Sequence, residues 1–501
     1  SDQKALPKVK PSTVENYFKD IENEKNKIPT YNGELYLEKH QGTLTSQAKN
    51  KYFNRKLENK LCYIESMMVL ENKSNLENLE EYWKKLLLFQ FHDILPGSAI
   101  ARVYEEVEKE YAQLDYCLEN VVNSLSFENL GKALFNSSPF AKSGYKEVDG
   151  KTYYYNAKAY SFAKLEKKDI STDVVVRDLT IANKYLTVKL DEHGNIISLI
   201  SKKIKKDLIK DKTNFFIYND NGGDCWDIYQ RYYLSKKKNL ILKDCSIYEE
   251  LDKKGYTLTY EYNSSKLVVN VYLKSEKNGL FFDCVFSNHM KDEMLRFDIN
   301  PSFHVDEAAF NIQYGHIYRS TKEDNDIEKA KFEVCAHKFV DYSLNDYGIA
   351  LINDCKYGYR VKNDLISMNL IRSQNTPCKN QDIGEHKFSF EIYPHENDLE
   401  SSDVYKEAYN FNRNIIFSFN KEKSFDFISD NERIILDWIK PSFDEKGIVL
   451  RFFNSTSKKQ TLTLPDKTIY KVDALEKNPS LLEEKQYIFK PFELLTLYIS
   501  K

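Results

Sequence analysis

The 501 residues exceed what one hydrophobic core holds, since single cores stop growing at roughly 250–300 residues, so three or more domains are expected. Lys+Arg 73 against Asp+Glu 76 leaves a formal charge of −3, which excludes a field of one sign able to recruit nucleic acid or an anionic membrane. The longest apolar runs are short, as at residues 86–89, against the ~20 needed to span a bilayer, so no membrane partner is expected, and SDQKALPKVK lacks the apolar stretch of a signal peptide. Cysteines 62, 117, 225, 245, 284, 335, 355 and 378 form no C-x-x-C pair, which argues against a disulfide framework or a Cys-rich zinc site and for buried thiols in a reducing cytoplasm.

In chain order, GELYLEKH (33–40) alternates, with Leu35, Leu37 and Lys39 on one side and Glu34, Tyr36, Glu38 and His40 on the other, and predicts a strand with a polar end. From Thr45 the period becomes helical: Ala48, Tyr52, Phe53, Leu57, Leu61, Ile64 and Met68 share one face. A second helix is expected from Ser74, where Ser74 and Glu77 have the spacing of a capping box, with Leu76, Leu79, Tyr82, Trp83, Leu86 and Leu87 turned inward and Pro96–Gly97 as its stop. A third follows from Ser98, keeping Ile100, Val103, Tyr104, Val107, Tyr111, Leu114, Leu118, Val121 and Leu125 in register. Short connections make the three antiparallel neighbours, a three-helix bundle over 45–127.

Beyond Phe127 the pattern is that of strands. YTLTYEYN (256–263), KLVVNVYL (266–273) and GLFFDCVF (279–286) are aromatic or β-branched and bounded by turn formers, and 185–200 reads as a hairpin with Gly194 in its turn. This remainder, about 370 residues, is too long for one ordinary sandwich of about 100, so several packed sheets are expected.

Three places could carry chemistry. The second helix ends in QFHDILPGS (90–98), where His92 and Asp93 are either a metal ligand with its neighbour or an ordinary helix exit, a histidine in the last turn being favoured by the helix dipole. No H-x-x-x-H, H-E-x-x-H or H-x-H pair occurs among the nine histidines, so no complete metal site is visible locally. Glu38 and His40 would share the C-terminal end of a strand, a place where barrels put functional groups, or be a half-exposed polar face. DNGGDCWDIY (220–229) pairs a flat ring, Trp226, with an acceptor, Asp227, as sugar binding requires, although a β-turn over a buried tryptophan reads the same.

These places are also where the chain resembles the retaining α-mannosidases of glycoside hydrolase family 38. NGELYLEKHQGTLTSQAKNKYFNRKLE (32–58) resembles the segment that closes the family's catalytic domain and enters its helical bundle, and QFHDILPGS resembles its helix-end motif. WDI (226–228), NIQYGHIYRST (311–321), YGIALINDCKYGY (347–359), LIRS (370–373) and DIGEHKFSFEIYPH (382–395) follow, in order, the β domains of bacterial members. The resemblance implies a multidomain α+β fold. Residues 1–44 would be a C-terminal remnant of the catalytic α/β domain, 45–127 the three-helix bundle and 128–174 a first β segment. A large, mostly antiparallel supersandwich of galactose-mutarotase-like form would cover 175–400, and a C-terminal β domain 401–501.

By the same resemblance, His92 is a zinc ligand and Asp93 reaches the bound sugar, with Glu38, His40, Trp226, Asp227 and Arg372 as further substrate-binding groups. The remaining zinc ligands, an H-x-D pair and the nucleophilic aspartate, and the acid belong to the family's N-terminal domain, so no catalytic residue is assigned here. The chain reads as the C-terminal half of an α-mannosidase, inactive alone because a retaining glycosidase needs two carboxyl groups about 5 Å apart. The implied partners are an α-mannoside oligosaccharide or glycan and the N-terminal half of the same enzyme, with a homo-oligomer left open. The competing reading is a non-catalytic carbohydrate-binding β module with a helical spacer, in which Trp226 stacks on sugars.

Overall fold

The computed structural model describes residue 5, residues 7–127 and residues 130–500. Positions 1–4, 6, 128, 129 and 501 lie outside the described residues, and with them the ends of three expected segments, at 1, 128 and 501. The chain divides into Ser1–Glu38 and Lys39–Lys501.

In the first unit a helix, Val14–Glu22, starts at Thr13, whose side chain accepts the Asn16 N–H, and buries none of its residues. The strand expected over 33–40 does not form. Alternation is a pattern that only a pairing partner converts into a strand. At His40, moreover, the backbone turns left-handed, with φ 68°, into the short 3₁₀ turn Gln41–Leu44, so Glu38 and His40 do not share a strand face.

The second unit begins with the predicted helices, as Ala48–Leu70, Leu79–Phe89 and Ala101–Ser124. Their inward positions are those of the sequence pattern: Leu57, Leu61, Ile64 and Met68 meet Leu79 and Leu86, and Tyr111, Leu114 and Leu118 from the third helix. Two details differ. The second helix starts at Leu79 after Asn78, which is left-handed, so the Ser74/Glu77 spacing caps nothing. Leu87 faces outward and Phe89 takes the core position, because the helix starts late and its apolar stripe shifts with it.

The strands pair antiparallel. YTLTYEYN, KLVVNVYL and GLFFDCVF lie in Lys253–Tyr262, Ser265–Lys274 and Leu280–Asn288, consecutive neighbours in a nine-stranded sheet. A six-stranded sheet that includes Asn214–Asn219, Glu293–Ile299 and Leu365–Ser373 packs on it through phenylalanines, with Phe297 4.7 Å from Phe390 and 5.2 Å from Phe282. The hairpin at 185–200 forms from Leu186–Leu190 and Ile196–Ser201. The first β segment does not close on itself: Ala133–Asn136 pairs with Ser161–Lys164 on one side and with Ile415–Ser418, from far along the chain, on the other. A five-stranded sheet built on Ile434–Pro441, Gly447–Asn454 and Leu494–Ser500 completes the fold. None of the eight cysteines forms a disulfide among the described residues, and no helix among them is long and apolar enough to cross a membrane.

Candidate functional site

The motifs singled out in the sequence converge where helix Ala48–Leu70 begins. Its first turn leaves backbone N–H groups without helical partners. Asp382 supplies the acceptors: its two carboxylate oxygens take the N–H groups of Gln47 and Ala48, at 2.9 and 2.8 Å. A residue more than three hundred positions away thus acts as the cap, a job an N-terminal neighbour usually does.

Ahead of that cap the chain runs against the 220–229 loop. Asp227 Oδ1 accepts the His40 N–H at 2.6 Å, and the Trp226 carbonyl accepts the Gly42 N–H at 2.7 Å. A Cβ on Gly42 would come within 2.1 Å of Arg372 Nη1 and 2.8 Å of the Trp226 carbonyl, so only glycine lets these backbones approach. The loop's own path is set by Asp224, whose Oδ1 accepts the N–H groups of Trp226 and Asp227 at 2.9 and 2.7 Å.

Arg372 ties the pieces together. Its Nε and Nη2 donate to Asp220 Oδ2 at 2.9 and 2.6 Å, Nη2 also to the Asp227 carbonyl at 3.0 Å, and Nη1 to Ser46 Oγ at 2.9 Å. Both members of the Arg372–Asp220 pair are 0% exposed, and Gln374 adds a donor to Asp220 Oδ2 at 2.7 Å. Such a pair persists in a low-dielectric interior only when its remaining donors and acceptors are satisfied, as they are here. The resemblance implies a substrate-binding role for Arg372; its guanidinium has no exposed surface and ties the 220–229 loop to Ser46.

The QFHDILPGS loop joins this network through residue 46. Lys51 Nζ donates to the carbonyls of Ser46, Leu95 and Pro96, and the Gly97 backbone passes so close to Ser46 that a Cβ there would lie 2.6 Å from its carbonyl oxygen. Burial pushes the Lys51 amine down to about 7, with Asp382 opposing the shift. Tyr104 OH donates to the Asp93 carbonyl at 3.0 Å, and Ser98 Oγ to Asp93 Oδ1 at 3.1 Å. The backbone is therefore anchored while the side chain is presented outward: the His92 imidazole is 75% exposed, tilted against the Phe91 ring with centroids 4.1 Å apart, and its Nε2 lies 3.3 Å from Asp93 Oδ2.

The structure thus brings His40, Trp226, Asp227 and Arg372 into one hydrogen-bonded assembly and attaches the His92–Asp93 loop to it. Glu38 is exposed and belongs to the other unit. Asp220, Asp382, Ser46 and Lys51 were not picked out beforehand. Asp220 and Asp382 do open the DNGGDCWDIY and DIGEHKFSF stretches, but no local pattern distinguishes a carboxylate destined for a buried arginine from a surface one.

Three known family descriptions match stretches of the chain. Residues 38–126 match the "Alpha mannosidase middle domain", 181–380 the "Glycosyl hydrolases family 38 C-terminal domain", and 433–497 the "Glycosyl hydrolases family 38 C-terminal beta sandwich domain". The chain belongs to glycosyl hydrolase family 38. It is 29% identical to alpha-mannosidase G of Dictyostelium discoideum over 99% of its own length and 55% of that protein. It is also 29% identical to an alpha-mannosidase of Saccharomyces cerevisiae, over 94% of its own length and 48% of that protein, so it spans about half the length of the curated relatives it matches. The crystal structure of an alpha-mannosidase from Enterococcus faecalis superposes with a TM-score of 0.81 at 15% identity, covering 97% of this chain and 72% of that one, which shows the shared fold.

Family membership implies a zinc ion, and the residues present do not make its site. Among the described residues no three His, Cys, Asp or Glu side chains converge as a metal requires. The carboxylates of the assembly already accept hydrogen bonds: Asp93 from Ser98, Asp220 from Arg372, Asp224 and Asp227 from backbone N–H groups, and Asp382 from the start of a helix. At the QFHDILPGS tip the chain itself offers one imidazole, that of His92.

Proposed function

We propose that this chain is the part of a zinc-dependent retaining α-mannosidase that closes one side of the active site, and that it does not hydrolyse α-mannosides alone. The supporting observation is the contrast at the site: the loops are fixed by buried hydrogen bonds and an ion pair, while His92 projects into solvent and, among the described residues, joins no group of three metal-ligating side chains. In the whole enzyme His92 contributes one zinc ligand, and the other ligands, the nucleophile and the acid come from a partner domain, the N-terminal half. Asp93, Trp226, Asp227 and His40 lie on the loops that would border an α-mannoside glycan, with Arg372 as their positioning residue. On this reading the two carboxyl groups, about 5 Å apart, that retaining hydrolysis needs belong to the N-terminal half. Cysteines that form no disulfide among the described residues support a reducing, cytoplasmic setting.

The test is turnover of an aryl α-mannoside with parallel zinc analysis. The chain alone should show neither tightly held zinc nor activity, and the whole enzyme carrying His92→Ala should lose both. Turnover by the chain alone that disappears in Asp93→Ala would overturn the proposal.

A further inference from the structure

Along helix Ala48–Leu70, away from the assembly just described, Tyr52, Lys56, Lys60 and Tyr63 recur at helical spacing and line one wall of a cleft of about 1030 Å³. A second wall is the hairpin of Lys142–Val148 and Lys151–Ala157, with Tyr145 and Tyr154; the third is the nine-stranded sheet, with Tyr272, Lys274 and Phe281. None of the residues named at the candidate site lines it.

Polar groups face this space with bonding capacity left over. Ser137 is 1% exposed and its hydroxyl has no partner among the described residues, and Asp354 Oδ1 is buried and equally unpartnered although its other oxygen takes the Ser389 N–H at 3.0 Å. Lys142 Nζ donates to the carbonyls of Asn410 and Arg413 at 2.7 and 2.9 Å, which uses two of an ammonium's three donors. Lys274 rests its ammonium over the Phe281 ring, 3.9 Å from the centroid, and not on a carboxylate. Buried polar atoms left unsatisfied are rare and point to an unseen partner.

The chemistry of the lining selects the class of partner. Of six tyrosines in the lining, Tyr52, Tyr63, Tyr145 and Tyr154 are partly exposed, and such rings, flat and apolar with a polar edge, suit the C–H face and hydroxyls of a pyranose. Nine lysine and arginine residues are nearly matched by seven aspartate and glutamate residues, so the cleft has no cationic excess to hold a polyanion and is too charged for a lipid chain. Interspersed donors and acceptors match a molecule whose every hydroxyl both donates and accepts. The volume lies at the upper end of the range of about 300–1,000 Å³ of small-molecule sites, room for several sugar units. We propose that this cleft is a second, non-catalytic site that binds a neutral oligosaccharide. It does not rest on the zinc reading of the first site.

The experiment is calorimetric titration of the full chain with α-linked mannopentaose and with maltopentaose, beside a sulfated mannopentaose. A neutral pentaose should bind, with affinity falling about fivefold or more in Tyr52→Ala, in Tyr145→Ala on the separate hairpin and in Lys274→Ala. Tyr52→Phe, which keeps the ring, should hold most of the affinity and controls for folding. His92→Ala and Trp226→Ala should leave it unchanged, which separates this cleft from the first site. No heat with either neutral sugar at millimolar concentration, binding abolished by Trp226→Ala but indifferent to the cleft variants, or a preference for the sulfated pentaose would each overturn the proposal.

Discussion

At its N-terminal end, helix Ala48–Leu70 is held by charge: Asp382 caps it, and Arg372, paired with Asp220, binds Ser46 just ahead of it. Further along the same helix, Glu65 packs against the C-terminal sandwich between two indoles, its Oε2 accepting Trp438 Nε1 at 2.8 Å and its Oε1 accepting Trp83 Nε1 at 3.3 Å, with the tryptophan rings 5.4 Å apart. The first end positions loops that carry chemistry, and apolar packing alone cannot position polar loops, because their backbone groups must all find partners. The second end joins two cores, where area buried supplies most of the attachment and one carboxyl sets its orientation.

The sharpest way to break this contrast is Arg372→Ala, which strands the buried Asp220 carboxylate and should cost about 3–5 kcal/mol in urea unfolding. A loss below about 1 kcal/mol would mean that the site end is not held by this pair. Glu65 tests the other end through pH. Burial raises its carboxyl from 4.5 to about 7, so the folded chain binds a proton there that the unfolded chain releases. That contribution is complete below pH 4.5 and is lost as pH rises to about 7. Glu65→Gln removes the titration, so its stability relative to the parent chain should improve by on the order of 1–3 kcal/mol across that interval; a constant difference at all pH values would show that Glu65 is ionised in the fold.

Two smaller effects sharpen the comparison. Asp382→Ala leaves two first-turn N–H groups without acceptors and should lower stability by about 1–2 kcal/mol, with faster amide exchange confined to the start of the helix. His92→Ala, at an exposed tip, should change the melting free energy by less than about 0.5 kcal/mol, since nothing buried depends on its ring. A large loss there would make His92 a structural residue and weaken its proposed role toward zinc.

Much of this was legible in the residue pattern. Periods of 3.6 located the three helices and period 2 the strands, because burial of one face is a local property that repeats along the element. Of the site, the His92–Asp93 tip and the Trp226–Asp227 turn were visible as unusual residues at element ends. The burial of Arg372 was not legible, because an arginine can face solvent or join a buried pair and the choice depends on Asp220, 152 positions away.

By itself, then, the sequence determined which segments are helical, which are extended and which exit loop carries an imidazole beside a carboxylate. Tertiary structure alone decided that 33–40 forms no strand, that Ala133–Asn136 pairs with Ile415–Ser418, that the distant Asp382 caps Ala48–Leu70, and that Arg372 lies buried. The physical reason is common to all four: a backbone hydrogen bond or a buried charge is settled by the partner it meets, and each of those partners, or its absence, belongs to a distant part of the chain.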